Sequence, residues 1–221
     1  MRMGRLLNVS IDRPPVNALN GPLYDALTDV FNSASDEEVV LLRSATQHFC
    51  SGQDLDEHRS VTTDAQAALN LRRGAAAILA ALRCKAPIVV AVRGAALGAG
   101  ALLACSADVF IASDDAWLGL PELQVGVTIG GAVAQRSLGG PLSRRMLLTG
   151  ERITASQLSG VGAARVVKPD DLEDAALAAA QSIAALNPSL VALARATWGA
   201  GEREAVAQAY ENEIEQFLVR R

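Results

Sequence analysis

Apolar and polar residues change period several times along the chain. Leu7, Val9 and Ile11 alternate with Asn8 and Ser10, which predicts a half-buried strand over 5–11, closed by Arg13-Pro14-Pro15. Leu23, Leu27, Val30 and Phe31 then recur at helical spacing and predict an amphipathic helix over 22–33. A second strand is expected over 39–43, then a loop over 44–53 and a single helical turn over 54–59. Asp64 is expected to cap a long Ala-rich helix reaching Arg83. Gly74 inside that helix is a weak point, worth about 1 kcal/mol relative to Ala. The β-branched run Ile88–Val92 has no polar interruption and predicts a strand buried on both faces.

Gly94, Gly98 and Gly100 separate this strand from an apolar helix expected over 101–105. Further strands are expected over 108–112, 116–118 and 164–167. Helices are expected over 130–137 and 142–148, with a short one capped by Thr154. From Asp171 onward the pattern is helical, over 171–186, 188–198 and 202–221. Strands alternating with helices, followed by a helical end, make the fold class α/β with an α-helical C-terminal part.

The chain has 221 residues and a mass of 23.0 kDa, enough for one well-buried core. Half its residues are apolar and only 4% are aromatic, so the helices are expected to pack closely. A net charge of −4, with no dense basic run, argues against nucleic acid as a partner. The start lacks the apolar core of a secretion signal, and no window approaches ~18 apolar residues. No membrane contact and a cytoplasmic setting are therefore expected. Cys50, Cys84 and Cys105 are widely spaced, form no metal-ligand pattern and read as small buried thiols. No ligand cluster for a divalent metal is evident.

Three stretches carry candidate chemistry. In the glycine-rich turn, the first N–H groups of the following helix lack partners and have the positive end of the helix dipole behind them. That is a place for negative charge, including an oxyanion that develops during reaction. The second stretch is the loop His48-Phe49-Cys50-Ser51-Gly52-Gln53-Asp54-Leu55. The third is Leu120-Pro121-Glu122-Leu123, where one acid stands among apolar residues. Desolvation there raises a carboxyl pKa and makes it a usable proton shuttle near neutrality. Gly98-Ala99-Gly100 is not a dinucleotide fingerprint, because the third glycine position falls on Leu103. His48 and His58 are expected at the surface.

The order of the motifs is more specific than any one of them. Arg13-Pro-Pro-Val-Asn-Ala-Leu-Asn20, Phe49-Cys-Ser-Gly-Gln-Asp-Leu55, Gly94-Ala-Ala-Leu-Gly-Ala-Gly100 with 104–108, Leu118-Gly-Leu-Pro-Glu122 and Leu148-Thr-Gly-Glu-Arg-Ile153 follow one another. With them the chain resembles the crotonase (enoyl-CoA hydratase/isomerase) superfamily, from about Leu6 to Phe217. The resemblance implies a ββα spiral core over 1–165 and a helical oligomerisation region over 166–221, in a trimer or a hexamer. It implies an acyl-CoA thioester whose carbonyl oxygen is gripped by two backbone N–H groups, here those of Gln53 and Ala99. Ala99 replaces the commoner Gly, which leaves its N–H available.

The resemblance also assigns the acids. Of the two glutamates that family hydratases use, one aligns with Glu122 and the other with Leu102. A lone acid implies an isomerase-type proton shuttle, with an enoyl-CoA hydratase as the alternative and a non-catalytic acyl-CoA-binding protein as the alternative of another class. Asp114 and Asp115 lie nearby in sequence, but no motif assigns them to the site. Arg13, Ala18, Ser51, Asp54 and Leu55 are the expected CoA and acyl contacts, and CoA is part of the substrate, so no separate cofactor is expected. Gln47 and His48 stand where many relatives carry a cation. Family members commonly continue into a further helix that covers the acyl site, so closure here is expected to differ or to come from a neighbouring subunit.

Overall fold

In the computed structural model, which describes residues 2–59 and 62–220, every residue of Ile88–Val92 is buried. The strands, in chain order, are β1 (Arg2–Met3), β2 (Leu6–Ile11), β3 (Val39–Ser44), β4 (Ile88–Val92), β5 (Ala95–Leu97), β6 (Val109–Ser113), β7 (Trp117–Gly119), β8 (Ile153–Thr154) and β9 (Arg165–Val167). The helices are α1 (Gly21–Ser33), α2 (Leu55–Arg59), α3 (Asp64–Arg83), α4 (Ala99–Ser106), α5 (Gly131–Thr149), α6 (Ala155–Gly160), α7 (Leu172–Ala184), α8 (Pro188–Ala194) and α9 (Ala200–Val219). One sheet has the order β1-β2-β3-β4-β6-β9, parallel except for β1, and a smaller one has the order β5-β7-β8.

The alternation of side chains along the strands divides the core in two. Val40, Leu42, Ile88, Val90, Val92 and Phe110 face one way, into the cluster built with α1, α3, α4 and α5. Val39, Leu41, Val89, Ala91 and Ile111 face the other way and meet Leu172, Ala176 and Ala180 of α7. Two of the helices after residue 165 pack on the core: α7 covers the second face of the sheet, and α9 lies on α3 and α5. Among the described residues no single helix is both long and apolar enough to cross a membrane.

Several local expectations are revised. Thr63, not Asp64, is the cap of α3, its hydroxyl accepting from the Gln66 amide at 3.2 Å, while Asp64 sits in the first turn. Gly74 does not interrupt α3. A side chain there would press on the Tyr24 ring, 3.3 Å from Cζ, so the glycine makes room for a neighbour. The inward face of α1 is Tyr24, Leu27 and Phe31, with Leu23 partly buried against the same core. The glycine-rich turn contains a short strand, β5, and α4 starts at Ala99, earlier than the apolar run suggests. The helices expected over 130–137 and 142–148 form α5 with a break at Gly139 (φ 67°), ahead of Pro141. As expected, Thr154 caps α6, and it does so in a capping box with Gln157. Of the C-terminal apolar residues, Ile214 belongs to the core and Phe217 and Leu218 pack against it, whereas Leu190, Leu193 and Trp198 are exposed.

Asn17 ties the segment after β2 to the loop after β3. It is fully buried with φ 54°, and its amide donates to Thr46 Oγ1 (2.9 Å) and to the His48 and Phe49 carbonyls (3.1 Å each). Its Oδ1 accepts from the Arg13 amide at 2.8 Å. Asn17→Ala leaves these groups unpaired and puts a methyl side chain in the left-handed region. A loss of roughly 3 kcal/mol is expected from those two effects. Guanidinium unfolding measures it, and an unchanged midpoint would remove this role from Asn17.

Candidate active site

Two turns meet here without side chains between them. The segment 49–54 is strapped on both sides. Phe49 donates to the Arg93 carbonyl (2.9 Å), Cys50 to Ala95 (3.2 Å) and Leu97 back to Cys50 (2.9 Å). On its other side Leu19 donates to Gly52 (2.7 Å) and Asp54 to Leu19 (2.9 Å). The straps press Gly52 (φ 84°) against Gly98 (φ 51°). A Cβ on Gly52 would sit 2.8 Å from the Leu97 carbonyl oxygen and 3.5 Å from Gly98 Cα. Only glycine fits both the left-handed backbone and the contact.

Gln53 and Ala99, each one residue beyond those glycines, both line a cavity of about 140 Å³. Among the described residues neither backbone N–H has a protein acceptor. Ala99 opens α4, so its N–H is one of the unpaired donors at a helix start, with the dipole behind it. Donors fixed in this way do not have to reorganise when an anion forms beside them.

Glu122 stands across the same cavity. It opens a 3₁₀ turn after β7, and the Gly98 amide donates to Gly119 at 2.9 Å, which holds that turn against the glycine-rich one. Its Oε1 lies 2.8 Å from where a Cβ on Gly98 would be, so a side chain there would displace the carboxylate. Oε2 is buried with no hydrogen-bond partner. Leu102, Pro121, Val127 and Ile129 supply apolar wall around it. Burial therefore pushes the Glu122 pKa up from 4.5 to about 7, which makes it a carboxyl able to take and return a proton near neutrality. Among the described residues lining the cavity, Glu122 is the only acid.

The enoyl-CoA hydratase/isomerase family profile matches residues 2–218. The chain belongs to the enoyl-CoA hydratase/isomerase family. It is 33% identical over 195 residues to the (7aS)-7a-methyl-1,5-dioxo-2,3,5,6,7,7a-hexahydro-1H-indene-carboxyl-CoA hydrolase of Mycobacterium tuberculosis (strain ATCC 25618 / H37Rv), covering 86% of this chain and 78% of that one. It is 36% identical over 179 residues to the 2,3-dehydroadipyl-CoA hydratase of Escherichia coli (strain K12), covering 77% and 69%. The crystal structure of an enoyl-CoA hydratase/isomerase from Xanthobacter autotrophicus Py2 superposes with a TM-score of 0.87 at 30% identity, over 99% of this chain and 85% of that one. The fold is the crotonase fold.

Within this enoyl-CoA hydratase/isomerase family member, the expected site residues divide into two groups. Gln53, Ala99, Glu122, Ser51 and Leu55 share the cavity wall, with Leu55 exposed at its edge. Arg13, Ala18 and Asp54 stand outside that wall and brace the loop. Asp54 accepts from the Asp56 and Glu57 amides at the start of α2 and pairs with Arg13 at 2.5 Å, while Arg13 also donates to the Ala18 carbonyl at 3.0 Å. The Glu57 amide first, with the Asp56 amide and Arg13, holds the Asp54 carboxyl below its ordinary value. Leu102 is buried in the wall.

His48 is not a surface residue. It is half-buried, and its Nδ1 accepts from the Ala95 amide at 3.2 Å. The side chain of His58 lies outside the described residues. Burial pushes the Cys50 and Cys105 thiols to about 12 and Cys84 to about 11, leaving them unreactive at neutral pH. Asp114 pairs with Lys168, and Asp115 lies beside the Gly94 amide.

Three polar lining residues were not expected from the sequence: Tyr24 of α1, Asn70 of α3 and Tyr210 of α9. The chain's own α9 therefore supplies part of the closure. It is held by Glu213, which accepts from the Gly130 (2.7 Å) and Ala132 (2.8 Å) amides at the start of α5, and by Arg83, which pairs with Glu204 and Glu211. The helical stripe Ala207, Tyr210, Ile214 was the signal available for it.

Because Glu122 binds its proton more tightly folded than unfolded, its stability contribution is intact below pH 4.5. It is lost as pH rises through about 7. Glu122→Gln is expected to match the parent protein near pH 4.5 and to gain up to about 3 kcal/mol above pH 7. Denaturant unfolding across this range measures the difference, and equal stabilities at pH 8 would contradict a desolvated carboxyl.

Proposed function

We propose that this family member is an enoyl-CoA isomerase-type enzyme that forms an enolate and moves one proton with Glu122. The observation that carries this reading is the lone carboxyl among the cavity-lining residues, set beside two unpaired backbone donors. In the proposed step the thioester oxygen accepts from the Gln53 and Ala99 amides. The Glu122 carboxylate removes a proton from C2 or C4 of the enoyl group, the electron pair moves onto the thioester oxygen, and Glu122 returns the proton to the other carbon. Each backbone donor of this kind is worth roughly 3–4 kcal/mol of barrier. Relatives named hydratase or hydrolase support water addition as the second reading. Leu102 weighs against it, because a leucine offers the attacking water no hydrogen bond where family hydratases have their other glutamate.

We also propose that copies of the chain associate through the segment 186–198, which contains α8. Leu186, Leu190, Leu193 and Trp198 are exposed there, Trp198 at 89%, and apolar area of this kind is characteristic of subunit contacts.

In deuterated buffer, short enoyl-CoA thioesters are expected to gain deuterium at C2 and to interconvert between 2-ene and 3-ene. Glu122→Gln is expected to slow both by roughly 10²–10⁴-fold. In the parent protein the rate should rise with pH through about 7, as the base ionises. Mass spectrometry and NMR report the exchange. Its absence would leave only acyl-CoA binding, and hydration of crotonyl-CoA at a comparable rate would favour the hydratase. Light scattering should give a multiple of 23.0 kDa that Trp198→Glu reduces, whereas a parent monomer would refute the proposed contact.

A further inference from the structure

The proton shuttle uses Glu122 and two backbone amides, and it leaves two buried phenols without a task. Tyr24 and Tyr210 are the only tyrosines in the chain, and they come from helices far apart in sequence, α1 and α9. Both rings are buried and both line the cavity that holds Glu122. Among the described residues neither hydroxyl has a hydrogen-bond partner. Neither hydroxyl oxygen is among the atoms sealed from water, so both open into the cavity and are free to donate to what binds there.

Packing alone does not account for the two hydroxyls, because phenylalanine would fill the same space without a group to satisfy. The surroundings also make room for one of them. A side chain on Gly74 would lie 3.3 Å from Tyr24 Cζ and 3.5 Å from its hydroxyl oxygen, and Gly74 is itself part of the cavity wall. A glycine in mid-helix is unfavourable relative to alanine, so the phenol sits where helix propensity has been given up. Burial first, with smaller contributions from neighbours that include Glu57 for Tyr24, Glu213 for Tyr210 and Glu122 for both, raises the pKa of both phenols, so both are neutral O–H donors at physiological pH.

We infer that Tyr24 and Tyr210 hydrogen-bond an oxygen carried by the acyl chain itself, so that the substrate is an oxo- or hydroxyacyl-CoA rather than a plain hydrocarbon thioester. The oxygen is uncharged. Among the described lining residues there is no Lys or Arg to balance a carboxylate, and Glu122 would repel one. This inference rests on the reading of the cavity as the acyl site.

The test compares hexanoyl-CoA with 4-oxohexanoyl-CoA, 5-oxohexanoyl-CoA and adipoyl-CoA, reading deuterium exchange at C2 and, separately, binding by calorimetry. The parent protein should prefer at least one ketone over hexanoyl-CoA by about tenfold or more, because a site built to donate to an oxygen leaves its donors unpaired on a hydrocarbon. Adipoyl-CoA should be the poorest of the four. In Tyr24→Phe and Tyr210→Phe that ratio should fall by about tenfold, and a ratio taken within one variant is independent of how much of that variant folds. Equal handling of hexanoyl-CoA and both ketones by the parent protein would overturn the inference. So would a preference that survives both substitutions, or a preference for adipoyl-CoA. Absence of exchange with every thioester would instead remove the enolate reading, and the calorimetric ratios would still decide the role of the phenols.

Discussion

The contact on which the site depends is the abutment of two glycine backbones, Gly52 and Gly98. Neither residue contributes chemistry. Their lack of side chains lets turns from two separate parts of the chain come within van der Waals distance, so that the residues following them reach one cavity. Each turn is fixed independently, one by straps to β5 and to the segment at 16–19, the other by the bond from Gly98 to Gly119. A third glycine, Gly100, allows a similar approach, since a Cβ there would fall 2.5 Å from the Cys50 carbonyl oxygen. Main-chain packing of this kind leaves little freedom for either N–H to turn away.

Glu122 gives the site its tension. A carboxyl with one oxygen sealed from water and unpartnered would, by itself, favour another conformation. It persists because the 3₁₀ turn that carries it follows directly from β7, which is paired on both sides, to β5 and β8. The sheet fixes the backbone and the backbone fixes the carboxyl. Strain held by surrounding structure is characteristic of sites whose groups must stay reactive.

The parts of the fold legible in the sequence were those with strong local periodicity. The unbroken run of β4, the alternation of β2, the Thr154 cap and the break near Pro141 each carry their signal within a few residues. Glu122 and the glycine-rich turn were legible as chemistry for a similar reason: an acid among apolar neighbours and clustered glycines are local facts. What escaped depends on distant partners. β5 is three residues of Ala and Leu whose bonds run to Cys50 and to β7, so nothing nearby distinguishes it from a turn. His48 looked exposed because its partner, the Ala95 amide, is 47 residues away. Tyr24 carries no local signal beside the more apolar Leu23, and its ring packs where Gly74, 50 residues away, leaves space. Tyr210 sits among glutamates, and its place in the cavity follows from how α9 docks.

That docking has a consequence for how the protein is made. The carboxylate of Glu213 fastens residues 200–219 to the first turn of α5, and Tyr210, three residues before it, completes the wall beside Glu122. During ribosomal synthesis the sheet, the two glycine turns and the acid all emerge well before that segment does. A nascent chain can therefore assemble the reactive groups while the chamber around them is still open on one side, and that side gains its wall only after the α9 segment has left the exit tunnel.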